Sequence, residues 1–184
     1  MTPWHPKVVG RFGTVPDNPR ERDFYGPFNK LLHDPSLFSV DSDFAVALQR
    51  PHPNINQVGS SPSFVVTHGT KPVFVLQIND PRRICDPSAR RNADLRMRTV
   101  IQDLIPSCPL PTLDGVCTFG TKLCFYRVDQ QTITLPFVVE GDRDEEAISS
   151  PLEHWICDVL ERKGADQLNS VVRQIKETCE GIPW

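Results

Sequence analysis

The stretch KPVFVLQIND, Lys71 to Asp80, decides how this chain folds. Side chains of a strand alternate between its faces, so Val73, Val75, Gln77 and Asn79 line one side and Phe74, Leu76, Ile78 and Asp80 the other. A strand apolar on both faces belongs in the middle of a sheet. Two amides on one such face cost free energy unless each finds hydrogen-bond partners. The pair therefore marks either a polar structural network or a functional site, present or former.

Working outward, SFVVTH is separated from this strand by Gly69 and Thr70, and the two segments read as a hairpin. SDFAVALQ, Ser42 to Gln49, alternates as a strand, and PHPNINQVGSSP is a loop of turn formers. Downstream, Asp86 at the cap and Pro87 at the first helical position start a helix that runs to about Leu104. Ala93, Met97, Val100, Ile101 and Leu104 form its core stripe. Its other faces carry Arg90, Arg91, Arg96 and Arg98, with Asp94 at four-residue spacing from Arg90 and Arg98, a pattern that reads first as a solvated face. TLDGVCTF and KLCFYRVD form a second hairpin around Gly120 and Thr121. TITLPFVVE then reads as an edge strand interrupted by Pro136, EGDRDEEAISSP as a solvated loop, and HWICDVL as a strand or an irregular packed segment. A final helix carries Leu168, Val171, Val172, Ile175 and Cys179 on one stripe and ends at Gly181.

Upstream, DFYGPFNKLLHD places Phe24, Phe28, Leu31 and Leu32 at helical spacing, with Pro27 tolerable only in the opening turn. The Pro-rich residues 1–22 read as an N-terminal arm that packs by Trp4, Val8, Val9 and Phe12, and residues 23–184 as a single domain. The expected class is α/β (α+β): a mixed central sheet flanked by helices.

Composition narrows the function. The chain has 184 residues, 39% hydrophobic and 23% charged, enough for one substantial core. A formal net charge of −3 supplies no global positive field, so binding of nucleic acid would need a local basic patch. Cys85, Cys108, Cys117, Cys124, Cys157 and Cys179 lack C-x-x-C spacing, and four sit in apolar runs, as small buried hydrophobes do. The sequence shows no apolar leader, no membrane-length stretch and no Asn-x-Ser/Thr acceptor. The expected location is intracellular, in cytoplasm or nucleus, with reduced thiols and no membrane partner. Phosphate-loop, dinucleotide-binding and nucleophile-elbow motifs are absent. His5, His33, His52, His68 and His154 are scattered without metal spacing, and His68 at a hairpin tip is expected to be exposed.

A helix, a strand and hairpin, and then a helix on the sheet is the order that resembles the core of the PD-(D/E)XK nuclease superfamily. In that family the first hairpin strand brings an Asp, the second brings an acid and a Lys one residue apart, and the first helix often brings another acid. An E-x-K pair projects from one strand face, so the carboxylate holds a divalent metal while the ammonium orients water or steadies developing charge. From about Glu21 to Cys179 the chain is also similar to a group of uncharacterised proteins of mushroom-forming fungi. These carry YGPYN, DFxVT, KPVFILEvK, CPLPTLHAVSAFGTKLCFY and a late W-x-x-DVL. The matching segments here are DFYGPFNKLL, FVVT, KPVFVLQIN, CPLPTLDGV and FGTKLCFY.

The resemblance implies a restriction-endonuclease-like core and puts Ser63 at the hairpin Asp position, Gln77 at the acid and Asn79 at the Lys. All three are neutral here. Glu21 or Asp23 stands for the helical acid. The implied function is a catalytically degenerate nuclease-fold protein that binds a protein partner or itself, with no metal or other cofactor expected. The alternative is a Mg- or Mn-dependent nuclease of DNA or RNA with relocated ligands. Asp80 and Glu21, with Asp41 and Asp43, would then help hold the metal, and Arg82, Arg83, Arg90, Arg91, Arg96 and Arg98 would contact phosphates.

Overall fold

Lys71–Asn79 form β3, in which every residue after Lys71 is buried. The computed structural model describes residues 3–49, 62–129 and 151–182. The loop expected after Gln49, the edge strand expected at 132–140 and most of the acidic run after it lie outside the described residues.

β2 (Ser63–His68) is antiparallel to β3, and β1 (Phe44–Gln49) is antiparallel to β2. The β2 to β3 hairpin turns at Gly69, whose φ of 58° is the left-handed backbone that glycine adopts without a Cβ penalty. Beyond the turn the register slips between Val66 and Thr67: Thr67 pairs with Pro72 and Val66 with Phe74. The extra residue, Val73, sets everything that follows. Without it Ser63 would oppose Leu76, whereas with it Ser63 sits opposite Gln77 on the same face.

The chain then crosses over the sheet through α3 (Pro87–Leu104) and returns as β4 (Thr112–Phe119), parallel to β3. A helical crossover is what a parallel neighbour requires. The start of α3 is as expected, with the Asp86 side chain accepting from the Ser88 N–H and Pro87 at the first turn. β5 (Lys122–Asp129) pairs with β4 across a two-residue turn at Gly120, and the short β6 (Cys157–Asp158) pairs with β5. The sheet is mixed, six-stranded and ordered β1-β2-β3-β4-β5-β6. HWICDVL resolves into a 3-10 turn at Leu152–Trp155 followed by β6.

Two layers cover this sheet. α3 lies over the face of Val75 and Gln77, and its close approach depends on Gly115. A Cβ there would sit 2.2 Å from the Met97 Cε and 3.0 Å from the Val75 Cγ1. On the other face Phe38 packs against Phe74, ring centroids 5.6 Å apart, just after α2 (Tyr25–Leu32). A 3-10 turn at Glu21–Phe24 leads into α2, so Pro27 falls in its opening turn. α4 (Arg162–Glu180) is on that side too: Gln174 accepts from Arg127, whose neighbour in the strand, Tyr126, points to α3 instead.

The arm is more ordered than its composition suggests. Pro6–Phe12 form α1, capped by the His5 side chain, which accepts from the Lys7 N–H. Val8 and Phe12, four apart on α1, and Trp4 just ahead of its cap are all buried in the core shared with β3 and α4. The Trp4 Nε1 also donates to the Val159 carbonyl at 2.6 Å. Among the described residues no helix is long and apolar enough to cross a membrane.

Candidate functional site

Ser63 on β2 lies opposite Gln77, and Gln77 and Asn79 lie where the end of β3 meets β4 and α3. Ser63, Gln77 and Asn79 are 5%, 1% and 2% exposed, so these positions lie in a closed interior. Gln77 donates its Nε2 to the Asn79 Oδ1 and to the Ala93 carbonyl of α3, each at 3.2 Å, with the Cys117 Sγ at 3.8 Å. Asn79 donates its Nδ2 to the Thr118 carbonyl at 3.0 Å and to the Cys117 Sγ at 3.2 Å. Its Oδ1 accepts a second bond from the Arg96 Nη2 at 2.8 Å. The N–H groups of both amides and the Asn79 oxygen therefore find partners, which offsets much of the penalty their burial would otherwise carry.

Cys117 is the hinge of this network. The parallel register sets it beside Gln77, and burial pushes its thiol well above the usual range, so it presents a neutral sulfur. Its cross-strand neighbour Cys124 is pushed by burial to about 12. Next to Ala93 on α3, buried Asp94 accepts from the Tyr126 hydroxyl at 3.0 Å and the Arg98 Nε at 2.6 Å. The Asp94–Arg98 pair expected from spacing thus forms. An Asp94–Arg90 pair is not among the ion pairs of the described residues; Arg90 gives its Nη1 to the Ile84 carbonyl at 2.7 Å.

The remaining candidates separate. Asp80 points away from the amides and pairs with Arg82 at 2.5 Å, whose hydrogen bond holds the carboxyl below its ordinary value. Arg83 pairs with Asp86 at 3.0 Å. Arg91, Asp41 and Asp43 are exposed. Glu21 is half-buried and accepts from the Tyr25 hydroxyl at 2.5 Å. Arg96 is the arginine seen to donate to the amide pair among the described residues. Burial lowers its pKa, while Cys117 and Glu21 act in the opposite sense. His68, expected to be exposed, is half-buried with its ring 4.9 Å from that of Phe44. Cys85 is exposed and the other five thiols are buried.

These donors do not fit a divalent cation. Gln77 turns N–H groups toward its neighbours, and the Asn79 oxygen already faces a guanidinium, so an incoming metal would meet hydrogens and positive charge. No group of three His, Cys, Asp or Glu side chains gathers among the described residues. Sequence alone pointed to Gln77 and Asn79 but not to Cys117 or to the inward reach of Arg96. Both depend on how α3 and β4 dock, which no local pattern encodes. Compared with family models, curated proteins and solved structures, the chain matches none.

Proposed function

We propose that this chain is a catalytically degenerate PD-(D/E)XK nuclease-fold protein that acts by binding a protein partner or a second copy of itself. The order of a helix, β1, the β2 to β3 hairpin, α3 and β4 supports the nuclease-like core. The observation that carries the reading is the closed amide pair at the E-x-K spacing of β3, with Ser63 directly opposite Gln77. Nuclease chemistry needs a carboxylate to hold the metal and an ammonium beside the attacking water. Here both positions are neutral and withdrawn from water. Each missing carboxylate forfeits on the order of several kcal/mol of attraction for a divalent ion, even at an effective dielectric of about 20. Binding then falls to the surfaces that the sheet and helices hold rigid.

The test is a cleavage assay on DNA and RNA with magnesium and with manganese titrated in. The wild-type protein should cleave no faster than Gln77→Ala. Metal-dependent cleavage abolished by Gln77→Ala would sink the reading and favour a nuclease with relocated ligands.

A further inference from the structure

β4 and β5 carry an ion pair on the sheet face that looks toward α4, away from the amides. Asp114 is 4% exposed, and Arg127 donates to it from Nε at 2.7 Å and from Nη2 at 3.3 Å. The same Nη2 donates to the Gln174 Oε1 of α4 at 2.6 Å. Two anchors thus fix the plane of the guanidinium, while Nη1, with two N–H groups, has no partner among the described residues. Because Gln174 accepts from a group that can only donate, its Nε2 is turned away from Arg127 and is a second free donor. Both side chains line a cavity of about 320 Å³ between the strands and α4. Glu177 and Thr178 line it too, three and four residues on from Gln174 and so on the same helical face. The Thr178 hydroxyl gives its hydrogen to the Gln174 carbonyl at 2.7 Å and keeps its lone pairs. Glu177 has only an exposed contact with Arg173 at 4.0 Å, which holds it weakly.

We propose that this cavity is a receptor for a small zwitterion of the α-amino acid class, its carboxylate on Arg127 and Gln174 and its ammonium on Glu177 and Thr178. The inference goes beyond the binding reading above and does not depend on it, because the site lies on the opposite face of the sheet. Charge decides against a simple anion. One guanidinium stands against two carboxylates, Asp114 and Glu177, so the lining is net negative and repels a phosphate dianion. A simple cation fails for the opposite reason, since it leaves the Arg127 and Gln174 donors without an acceptor. A zwitterion answers both ends and brings no net charge. Asp114 holds Arg127 in place from behind, which reduces the rotamer freedom lost when a carboxylate docks. The volume is at the small end of ligand sites, which run from about 300 to 1,000 Å³, and suits a molecule of amino-acid size.

The intact chain, labelled with 15N at arginine, is titrated at constant ionic strength with L-alanine, and separately with propionate, ethylamine and inorganic phosphate. L-Alanine stands for the backbone that all α-amino acids share. It should shift the Arg127 Nε–Hε signal saturably and leave that of Arg82 in place. Propionate lacks the ammonium and ethylamine the carboxylate, so each should bind at least about tenfold more weakly. Phosphate should not saturate. Glu177→Gln, on the exposed side of α4, should weaken L-alanine about tenfold without weakening propionate, a split that a structural role alone would not produce. Arg127→Gln should abolish binding. If it does not fold, because buried Asp114 loses its partner, Gln174→Leu tests the carboxylate end and should weaken L-alanine about tenfold. Arg162→Gln, elsewhere on α4, should bind as the wild type does. A response that never saturates, equal affinity for propionate and L-alanine, tighter binding of phosphate, or L-alanine binding that survives both Glu177→Gln and Gln174→Leu would overturn the proposal.

Discussion

The two faces of β3 share one backbone and differ in almost everything else. Phe74, Leu76 and Ile78 are fully buried against an aromatic layer that includes Phe38. Val75, Gln77 and Asn79 are buried as deeply, yet the side beneath α3 turns from apolar to polar within four residues. The first face is held by area removed from water and by close packing. The polar end of the second is held by matched donors and acceptors, which contribute little net stability and cost much when one is left unmatched. One strand can therefore be an apolar core element on one side and carry a closed polar network on the other.

The largest effect should come from the apolar face. Phe74→Ala leaves a cavity beside Phe38 and should cost about 3–5 kcal/mol in denaturant unfolding. On the polar face, Gln77→Glu keeps the shape but turns a carboxylate oxygen toward the Ala93 carbonyl. At pH 7 it should cost about 2–4 kcal/mol. That carboxyl would be protonated more readily in the folded chain than in the unfolded one. The deficit should therefore shrink as pH falls through the raised folded value, and a comparison of wild type with the variant from pH 8 to 4 checks the sign. A rescue of Gln77→Glu at pH 7 by manganese would show that the network opens to a cation.

A smaller effect separates the faces through their thiols. The Cys124 pKa of about 12 lies above its ordinary value of 9.0, so the folded chain keeps a proton that the unfolded chain loses. Its contribution is complete below pH 9 and declines by about 1.4 kcal/mol per pH unit as pH rises toward the folded value. Cys124→Ala should flatten that alkaline decline in urea melts taken between pH 8 and 10. The smallest effect is Gln77→Leu, at about 1 kcal/mol, because Asn79 keeps Arg96 and Thr118 as partners. A cost equal to that of Gln77→Glu would mean that the network is stiffer than its hydrogen bonds suggest.

Much of this fold was legible because its signals are local. Asp86 and Pro87 opened α3, Gly69 and Gly120 closed the two hairpins, and the unbroken apolar run of β3 placed it inside the sheet. α1 was hidden by Pro6 and Gly10, although Trp4, Val8 and Phe12 already carried a helical spacing. The site was legible only in part. Gln77 and Asn79 announced themselves as amides on a buried face, but the opposition of Ser63 and Gln77 depends on the slip at Val73, which turn chemistry does not predict. Cys117 and Arg96 enter through the docking of a parallel strand and a crossover helix, contacts distant in sequence that are fixed only when the layers close.

The central claim is that the chain's own groups occupy the place of a metal site. Crystals grown with manganese, measured by anomalous diffraction at its absorption edge, test it most directly. The account predicts no anomalous peak within ligand distance of Gln77 or Asn79, and the Arg96 guanidinium on the Asn79 oxygen. A manganese ion bound by Gln77 or Asn79, with Arg96 swung away, would contradict it.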